Sequence, residues 1–290
     1  MGVLLPTFNG GLHLRDQLLS IRSQVGVDVR VYVNDDGSTD GSLQVLEEFI
    51  SSGLVFKLFS SNRIGSTQAF FKLLLEAKNE EYIAFCDQDD IWDSEKLHKS
   101  IEIMVRENSQ MVFTRRKYID GRGFALGFSP RIRKTPGFRN ALVENIAYGN
   151  TQLIGSGAIK TILRVGAVPV KHFDAWVYLI VSAVHKISFL DLPLTNYRIH
   201  SENQIGLRKR LDFRGARNGL QDYYRQNQIL LQSNLTYVDQ ATISAIETHM
   251  SICDSRSLRL VFSRSKFIAY RQRRLDQFLI RLFLPFSSGS

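Results

Sequence analysis

Cysteine is close to absent from this chain of 290 residues, which holds two, Cys86 and Cys253. They stand far apart and in no ligand spacing. That argues against a disulfide framework and a zinc site, and suits a reducing compartment. No apolar run reaches the length of a membrane span. No secretory leader is read either, because Met1 is followed almost at once by an apolar strand. The strand begins so early that a few native residues are expected ahead of it. Internal repeats and low-complexity stretches are lacking, which leaves no sign of a repeat array or a compositionally biased linker. A cytoplasmic globular protein is the expectation.

At 44% hydrophobic residues, the chain can bury the core of one large α/β domain and still leave residues for an appendage. Its formal charge of +9 is unevenly placed. Residues 1–205 carry 23 Lys/Arg against 22 Asp/Glu, and residues 206–290 carry 14 against 6. A near-neutral body is thus followed by a basic tail. Such a tail suits an acidic membrane surface, nucleic acid or a solvated helix face. No nucleic-acid motif accompanies it, so a nucleic-acid partner is not expected.

Strand and helix patterns alternate from the start. Val3 to Thr7 reads as a strand, and Leu14, Leu18 and Ile21 share a helix face. Val29, Val31 and Val33 alternate as a second strand. Asp40 is placed to cap a helix carrying Leu43, Leu46 and Phe49, and Gly53 to end it. A strand over 55–59, a helix over 65–78, a strand over 82–86, a helix over 94–107 and a strand over 111–114 follow. This alternation predicts a largely parallel sheet flanked by helices. Residues 120–140 read as a loop, 145–164 as strand and helix, 187–190 as a short strand ahead of Pro193, and the chain beyond Gly206 as helical.

The stretch Tyr82-Ile-Ala-Phe-Cys-Asp-Gln-Asp-Asp-Ile-Trp92 carries the strongest chemical signal. A buried strand runs into Asp87, Asp89 and Asp90, and buried carboxylates are costly unless something compensates them. At the carboxyl end of a strand they lie where open α/β sheets bind ligands. Two carboxylates one residue apart suit a divalent cation that in turn holds a diphosphate. An acidic turn capping the helix near Ser94 is the plainer alternative.

Together with Pro6-Thr7-Phe8-Asn9-Gly10, Asp35-Asp36-Gly37-Ser38-Thr39-Asp40, Asp174 with Trp176, and Tyr197-Arg198-Ile199-His200, this stretch resembles the family 2 glycosyltransferases, and most closely their rhamnosyltransferase-like members. The resemblance covers about residues 3–206. It implies an α/β, GT-A-type nucleotide-sugar-binding sheet over 1–206 and leaves 207–290 as a basic helical C-terminal extension. It assigns Thr7, Asp36, Asp87, Asp90 and Arg198 to the nucleotide-sugar: Asp36 for the ring N–H of a pyrimidine, Asp87 for the ribose, Asp90 for the sugar side, and Arg198 for the diphosphate. Asp35, Arg63 and Gly65 are weaker neighbours of that set. Asp89 and His200 are implied ligands of Mn²⁺ or Mg²⁺, Asp174 the catalytic base, and Gly149 and Trp176 the acceptor side. Relatives often show His-Asp-Trp-Trp around the base. Here Phe173 and Ala175 flank Asp174, which leaves the acceptor lining open to difference.

The implied reaction is inverting, metal-dependent transfer from a nucleotide-sugar, dTDP-rhamnose, to a surface glycan or a lipid-linked acceptor. Residues 256–286 interleave Arg and Lys with Leu, Phe and Ile, as in a basic helix lying on the inner face of a membrane or one packed on the domain. Three alternatives stay open: another donor sugar, an inactive glycan-binding or scaffolding relative, and a nucleotidyltransferase. The last wants a Gly-rich basic loop after the first strand, whereas residues 6–15 hold one basic residue, Arg15.

Overall fold

The structure is a computed structural model that describes residues 1–200, 213–233, 238–254, 269–270 and 272, with backbone alone for 213–220 and 252–254. Its elements, in chain order, are β1 (Gly2–Thr7), α1 (Gly11–Arg22), β2 (Arg30–Asp35), α2 (Ser42–Ser51), β3 (Val55–Ser60), α3 (Ser66–Glu76), β4 (Tyr82–Phe85), β5 (Ile91–Trp92), α4 (Lys96–Glu107), β6 (Met111–Ile119), β7 (Ala125–Phe128), α5 (Phe138–Ala141), a 3₁₀ turn (Gly149–Thr151), β8 (Gln152–Gly155), α6 (Ser156–Val165), α7 (Phe173–Val184), β9 (Ile187–Arg198), α8 (Phe213–Gln232) and α9 (Gln240–Asp254).

Two compact units share the chain. One gathers 1–131, 147–167 and the described residues of 185–204; the other gathers 132–146, 168–184 and the described residues beyond 205. The division does not fall at a single boundary near 206. Asp174 and Trp176 belong to the second unit, and the other candidate site residues belong to the first.

Among the described residues, all nine strands lie in the first unit, in the order β3-β2-β1-β4-β8-β6-β9-β5, with β7 paired to β6. The strands β3, β2, β1 and β4 run parallel. Val3, Leu4 and Leu5 are fully buried, as are Val31 and Val33, because helices cover both faces there. Leu14, Leu18 and Ile21 of α1 and Leu46 and Phe49 of α2 pack into the same core. Each such side chain contributes roughly 1.5–3 kcal/mol by leaving water. α2 ends as expected. Gly53, at φ 80°, donates to Ile50 O and Leu54 donates to Phe49 O, a Schellman closure. Asp40 accepts the Ser42 amide at 2.9 Å and the Gly11 amide at 3.0 Å, and so ties the starts of α2 and α1 together.

Beyond β4 the sheet departs from the largely parallel expectation. β8 is antiparallel to both β4 and β6, and β5 is antiparallel to β9. β7 follows β6 as a hairpin with no helix between, which is antiparallel connectivity, whereas β9, reached through α6 and α7, runs parallel to β6. The expected loop over 120–140 contains β7, with Gly123 and Gly127 at positive φ around it, and α5. The strand ahead of Pro193 runs on to Arg198. The β6–β9 register jumps from Thr114↔Leu190 to Arg115↔Pro193, a bulge that admits a residue with no N–H to donate.

In the second unit α7 is apolar all round, with Trp176 to Val181 fully buried. The Tyr178 hydroxyl donates to Asn140 Oδ1 at 3.0 Å, and Asn140 donates to Tyr270 O at 2.8 Å. No helix among the described residues is long and apolar enough to cross a membrane. The expected basic helix over 256–286 lies almost wholly outside the described residues.

Candidate active site

Parallel register sets Thr7, the last residue of β1, beside Asp35 at the end of β2, and Asp36 N–H donates to Thr7 O at 2.8 Å. The loop after β4 closes on the same edge through Gln88. Its Oε1 accepts the Thr7 hydroxyl at 2.7 Å and the Phe8 amide at 2.8 Å, and its Nε2 donates to Phe8 O at 3.1 Å. A Cβ on Gly10 would come within 2.6 Å of that Oε1, so a side chain there would displace the Gln88 amide from these bonds. Read from sequence, Gln88 is only a spacer between carboxylates. In the structure it is the clasp that holds the Asp87–Asp90 loop against the first strand.

Asp36 is buried, and its carboxylate accepts Ser61 Oγ at 2.9 Å, Ile64 N–H at 2.8 Å and Gly65 N–H at 2.8 Å. Burial pushes its pKa up, but the Gly65 and Ile64 amides, the Ser61 hydroxyl and the Arg63 charge together hold it below the ordinary value. Asp36 thus organises the loop after β3, and Oδ2 accepts one bond with a lone pair to spare. The Gly65 amide is consumed in that contact, and the Arg63 guanidinium lies 3.9 Å over the Phe8 ring. Asp35 Oδ2 accepts the Gly37 and Ser38 amides, while its buried Oδ1 has no partner among the described residues.

The two expected metal ligands meet. His200 Nε2 lies 2.7 Å from Asp89 Oδ2, with 22% and 17% of the side chains exposed, so the pair sits at a mouth open to solvent. Asp87 lies half-buried just ahead of it. A carboxylate oxygen beside an imidazole nitrogen suits Mn²⁺, and an oxygen-rich remainder suits Mg²⁺. No cluster of three or more His, Cys, Asp or Glu is assembled among the described residues. A cation held by this pair would therefore complete its shell from phosphate oxygens and water, as Mg²⁺ commonly does. The residues fit that role. His13 of α1 stands next to them, its ring centroid 5.6 Å from that of His200. Burial, then the charges of Arg198 and His200, lower its pKa.

Arg198 and Asp90 do not face the mouth. Arg198 is 2% exposed, and its guanidinium donates to Asp89 O at 3.0 Å, Gly121 O at 3.0 Å and Asp16 Oδ2 at 3.3 Å. With its donors so engaged it bolts the loop from behind instead of gripping a diphosphate. Asp90 is fully buried, accepting Asn150 Nδ2 and, at 3.3 Å, the Arg198 amide. Burial and then the charges of Asp87 and Asp89 push its pKa well up, so it anchors the loop and offers nothing to a sugar. Below it, the buried Lys96 donates to Asn150 O at 2.6 Å and lies 3.3 Å from the Trp92 ring centroid. Gly149 is half-buried, in the 3₁₀ turn that delivers Asn150. The sequence does carry a trace of this network: Lys96 falls on the α4 face otherwise formed by Leu97, Ser100, Ile103 and Met104.

In the second unit Asp174 sits in the first turn of α7, half-buried. Its Oδ2 accepts Asn145 Nδ2 at 2.8 Å, and the Asn145 amide donates to the Tyr223 hydroxyl at 2.7 Å. One carboxylate oxygen is thereby fixed by an amide that carries no charge. Trp176, expected on the acceptor side, is fully buried with its Nε1 lacking a partner among the described residues. It packs the unit's interior and lines no open surface.

A domain model described as glycosyl transferase family 2 matches residues 2–164, more than half of the chain. The chain is 36% identical over 110 residues to the dTDP-rhamnosyl transferase RfbG of Shigella flexneri, a match spanning 36% of this chain and 38% of that protein. It is 23% identical over 212 residues, 72% of this chain and 80% of the relative, to the Escherichia coli UDP-Glc:alpha-D-GlcNAc-diphosphoundecaprenol beta-1,3-glucosyltransferase WfgD. The RfbG match covers well under half of that relative's length. Staphylococcus aureus TarS 1–349 in complex with UDP-GlcNAc superimposes with a TM-score of 0.62 at 15% identity, over 99% of this chain and 86% of that one. The mannosyltransferase PcManGT of Pyrobaculum calidifontis in complex with GDP-Man and Mn²⁺ gives 0.59 at 14% identity, over 100% and 75%. These likenesses establish a GT-A-type fold. With the motif residues of β1, β2 and the loop after β4 gathered at one sheet edge and the family model spanning β1 to α6, the chain belongs to glycosyl transferase family 2.

Proposed function

We propose that the protein is an inverting, metal-dependent glycosyltransferase that moves rhamnose from dTDP-rhamnose to a growing surface glycan or lipid-linked acceptor. The observation that carries this reading is the Asp89–His200 pair at the carboxyl edge of the sheet, next to Asp87 and one loop from Thr7, Asp35 and Asp36. Asp89 and His200 would hold Mn²⁺ or Mg²⁺, which when bound would supply positive charge against the leaving diphosphate. Asp87 takes the ribose, and the free lone pair of Asp36 takes the base. Asp174 removes the acceptor hydroxyl's proton as that oxygen bonds to the anomeric carbon and the electron pair of the breaking bond passes to the diphosphate. Gly149 remains the acceptor-side candidate. The rhamnosyl relative supports the donor, and the lipid diphosphate in the name of the WfgD relative supports the acceptor class. A cytoplasmic enzyme attached to the inner face of a membrane through its basic tail completes the reading.

The test is thermal stabilisation by a panel of nucleotide-sugars with and without Mn²⁺. A ligand at a hundredfold excess over its Kd adds about 2.7 kcal/mol to stability. dTDP-rhamnose with Mn²⁺ is expected to give the largest shift, and Asp89→Ala to lose the metal-dependent part. A larger shift from a UDP- or GDP-sugar would sink the donor assignment, and no response to any nucleoside diphosphate would sink the enzyme class.

A further inference from the structure

The β6–β7 hairpin carries an exposed apolar stripe. Phe124, Leu126 and Phe128 fall within five residues of it, at 68%, 58% and 56% exposure, with Leu126 at the bulge between the Ile119↔Ala125 and Tyr118↔Gly127 pairs. Large apolar side chains exposed singly are ordinary, but three so close together on one short hairpin are not. The hairpin is held in shape: Asp120 Oδ1 accepts the Arg122 and Phe124 amides, each at 2.9 Å, and Ser129 N–H donates to Arg116 O at 2.8 Å. Its surroundings are basic. Between residues 109 and 131 five Lys and Arg accompany a single acid, Asp120. Arg115 is paired with Asp191, and its guanidinium carbon lies 5.8 Å from the Phe128 ring centroid. Lys117, Arg122 and Arg131 have no ion-pair partner among the described residues, and Arg122 and Arg131 are exposed.

We propose that this hairpin docks on an anionic lipid surface, inserting Phe124, Leu126 and Phe128 among the acyl chains while Arg122, Arg131 and Lys117 meet lipid phosphates. Charge selects this occupant. Apolar side chains ringed by cations suit the interface of an acidic bilayer, where insertion and attraction add. A second copy of the chain carries the same cations at this face and would meet them with like charge. The strand is also short, four residues with a register shift at Tyr118/Ile119, whereas a stable protein interface needs roughly 800 Å² from each partner. The hairpin is joined to the metal pair through one side chain, since Arg198 donates both to Gly121 O and to Asp89 O. On the proposed-function reading, a membrane held here brings a lipid-carried acceptor beside the donor.

The experiment is co-sedimentation of the full chain with vesicles of phosphatidylcholine alone or mixed with phosphatidylglycerol, at low and high salt. The wild type is expected to bind the mixed vesicles, less so as salt shortens the screening length. Replacing three apolar side chains in Phe124→Ser/Leu126→Ser/Phe128→Ser is expected to lower partitioning on the order of a hundredfold. Arg122→Glu/Arg131→Glu is expected to remove the preference for phosphatidylglycerol. Nucleoside diphosphate binding, measured alongside, reports separately on the proposed function. Equal vesicle binding by the wild type and the triple-serine variant overturns the inference. So does wild-type failure to bind mixed vesicles. A triple-serine variant that alters the oligomeric state, or lowers the melting temperature by several degrees, with vesicle binding unchanged, also overturns it, by assigning the stripe to a second copy or to the chain's own tail.

Discussion

Lys96 offers the sharpest test of the buried network under the candidate metal loop. It is 1% exposed, and burial pulls its pKa down to about 7, against the attraction of Cys86, Asp90 and Asp87. In the unfolded chain a lysine titrates near 10.4. Between these values the unfolded state binds more protons than the folded one, so stability rises with pH across the window and levels off above it. The slope from one such group is about 1.4 kcal/mol per pH unit, and the whole interval amounts to roughly 4–5 kcal/mol. Lys96→Met keeps the length of the side chain and removes the titration. It also costs Asn150 O the Lys96 donor, leaving the Thr195 hydroxyl at 3.1 Å. The vertical offset between wild type and variant therefore mixes several effects, but the difference in slope does not. Urea unfolding at half-unit steps from pH 7.5 to 9.5 measures it, because every other lysine and tyrosine is common to both proteins. The wild-type curve is expected to rise relative to the variant by about 1.4 kcal/mol per unit. Parallel curves would show that Lys96 stays charged in the fold and that the reasoning is wrong.

Two further outcomes follow from the geometry. Asp174→Asn keeps the shape of the side chain but removes a base, so kcat is expected to fall by roughly 10²–10⁴-fold with little change in donor KM, measured by sugar transfer or slow donor hydrolysis; wild-type turnover would refute the role. Arg198→Leu strands two backbone carbonyls and is expected to cost roughly 2–4 kcal/mol in denaturant unfolding, discounted from a fully buried pair because Asp16 is 53% exposed. Unchanged stability with lost nucleotide affinity would instead return Arg198 to the diphosphate.

How much of this was legible in the sequence depended on distance along the chain. The parallel half of the sheet was readable because each strand and its helix sit within one run of apolar periodicity, and Gly53 and Asp40 mark the ends of α2 by their own local chemistry. The mixed half beyond β4 was not. β7 lies among Gly121, Gly123 and Gly127 with no buried face to impose alternation, and the bulge at Pro193 interrupts the pattern of β9. Within the site, the motif named Asp89 and His200, and the fold brought them together from 111 residues apart. The same motif also includes Asp90, Arg198 and Trp176, which the fold buries. A motif records which residues belong to a site; it does not record which of them face the ligand, and that depends on burial. Gln88, Asn150 and Lys96 escaped notice for the converse reason, since each acts through a partner distant in sequence.

The division between facing and backing residues explains why this loop needs so many polar groups. Asp87 and Asp89 must stay near solvent and near each other, and their mutual repulsion would splay a loop held only by its ends. The structure opposes that from three directions. Gln88 clasps the loop to β1, Arg198 holds the Asp89 carbonyl from the β9 side, and Asp90 is drawn inward to Asn150. A carboxyl group sunk beside two carboxylates is tolerable when it takes up a proton, which is the direction in which burial and its neighbours push Asp90. The third acid of the motif, held by Asn150 and the Arg198 amide, is the anchor on which the other two are mounted. On this reasoning the loop divides its three aspartates by depth, with Asp87 and Asp89 half-buried at the mouth and Asp90 fully buried at the root.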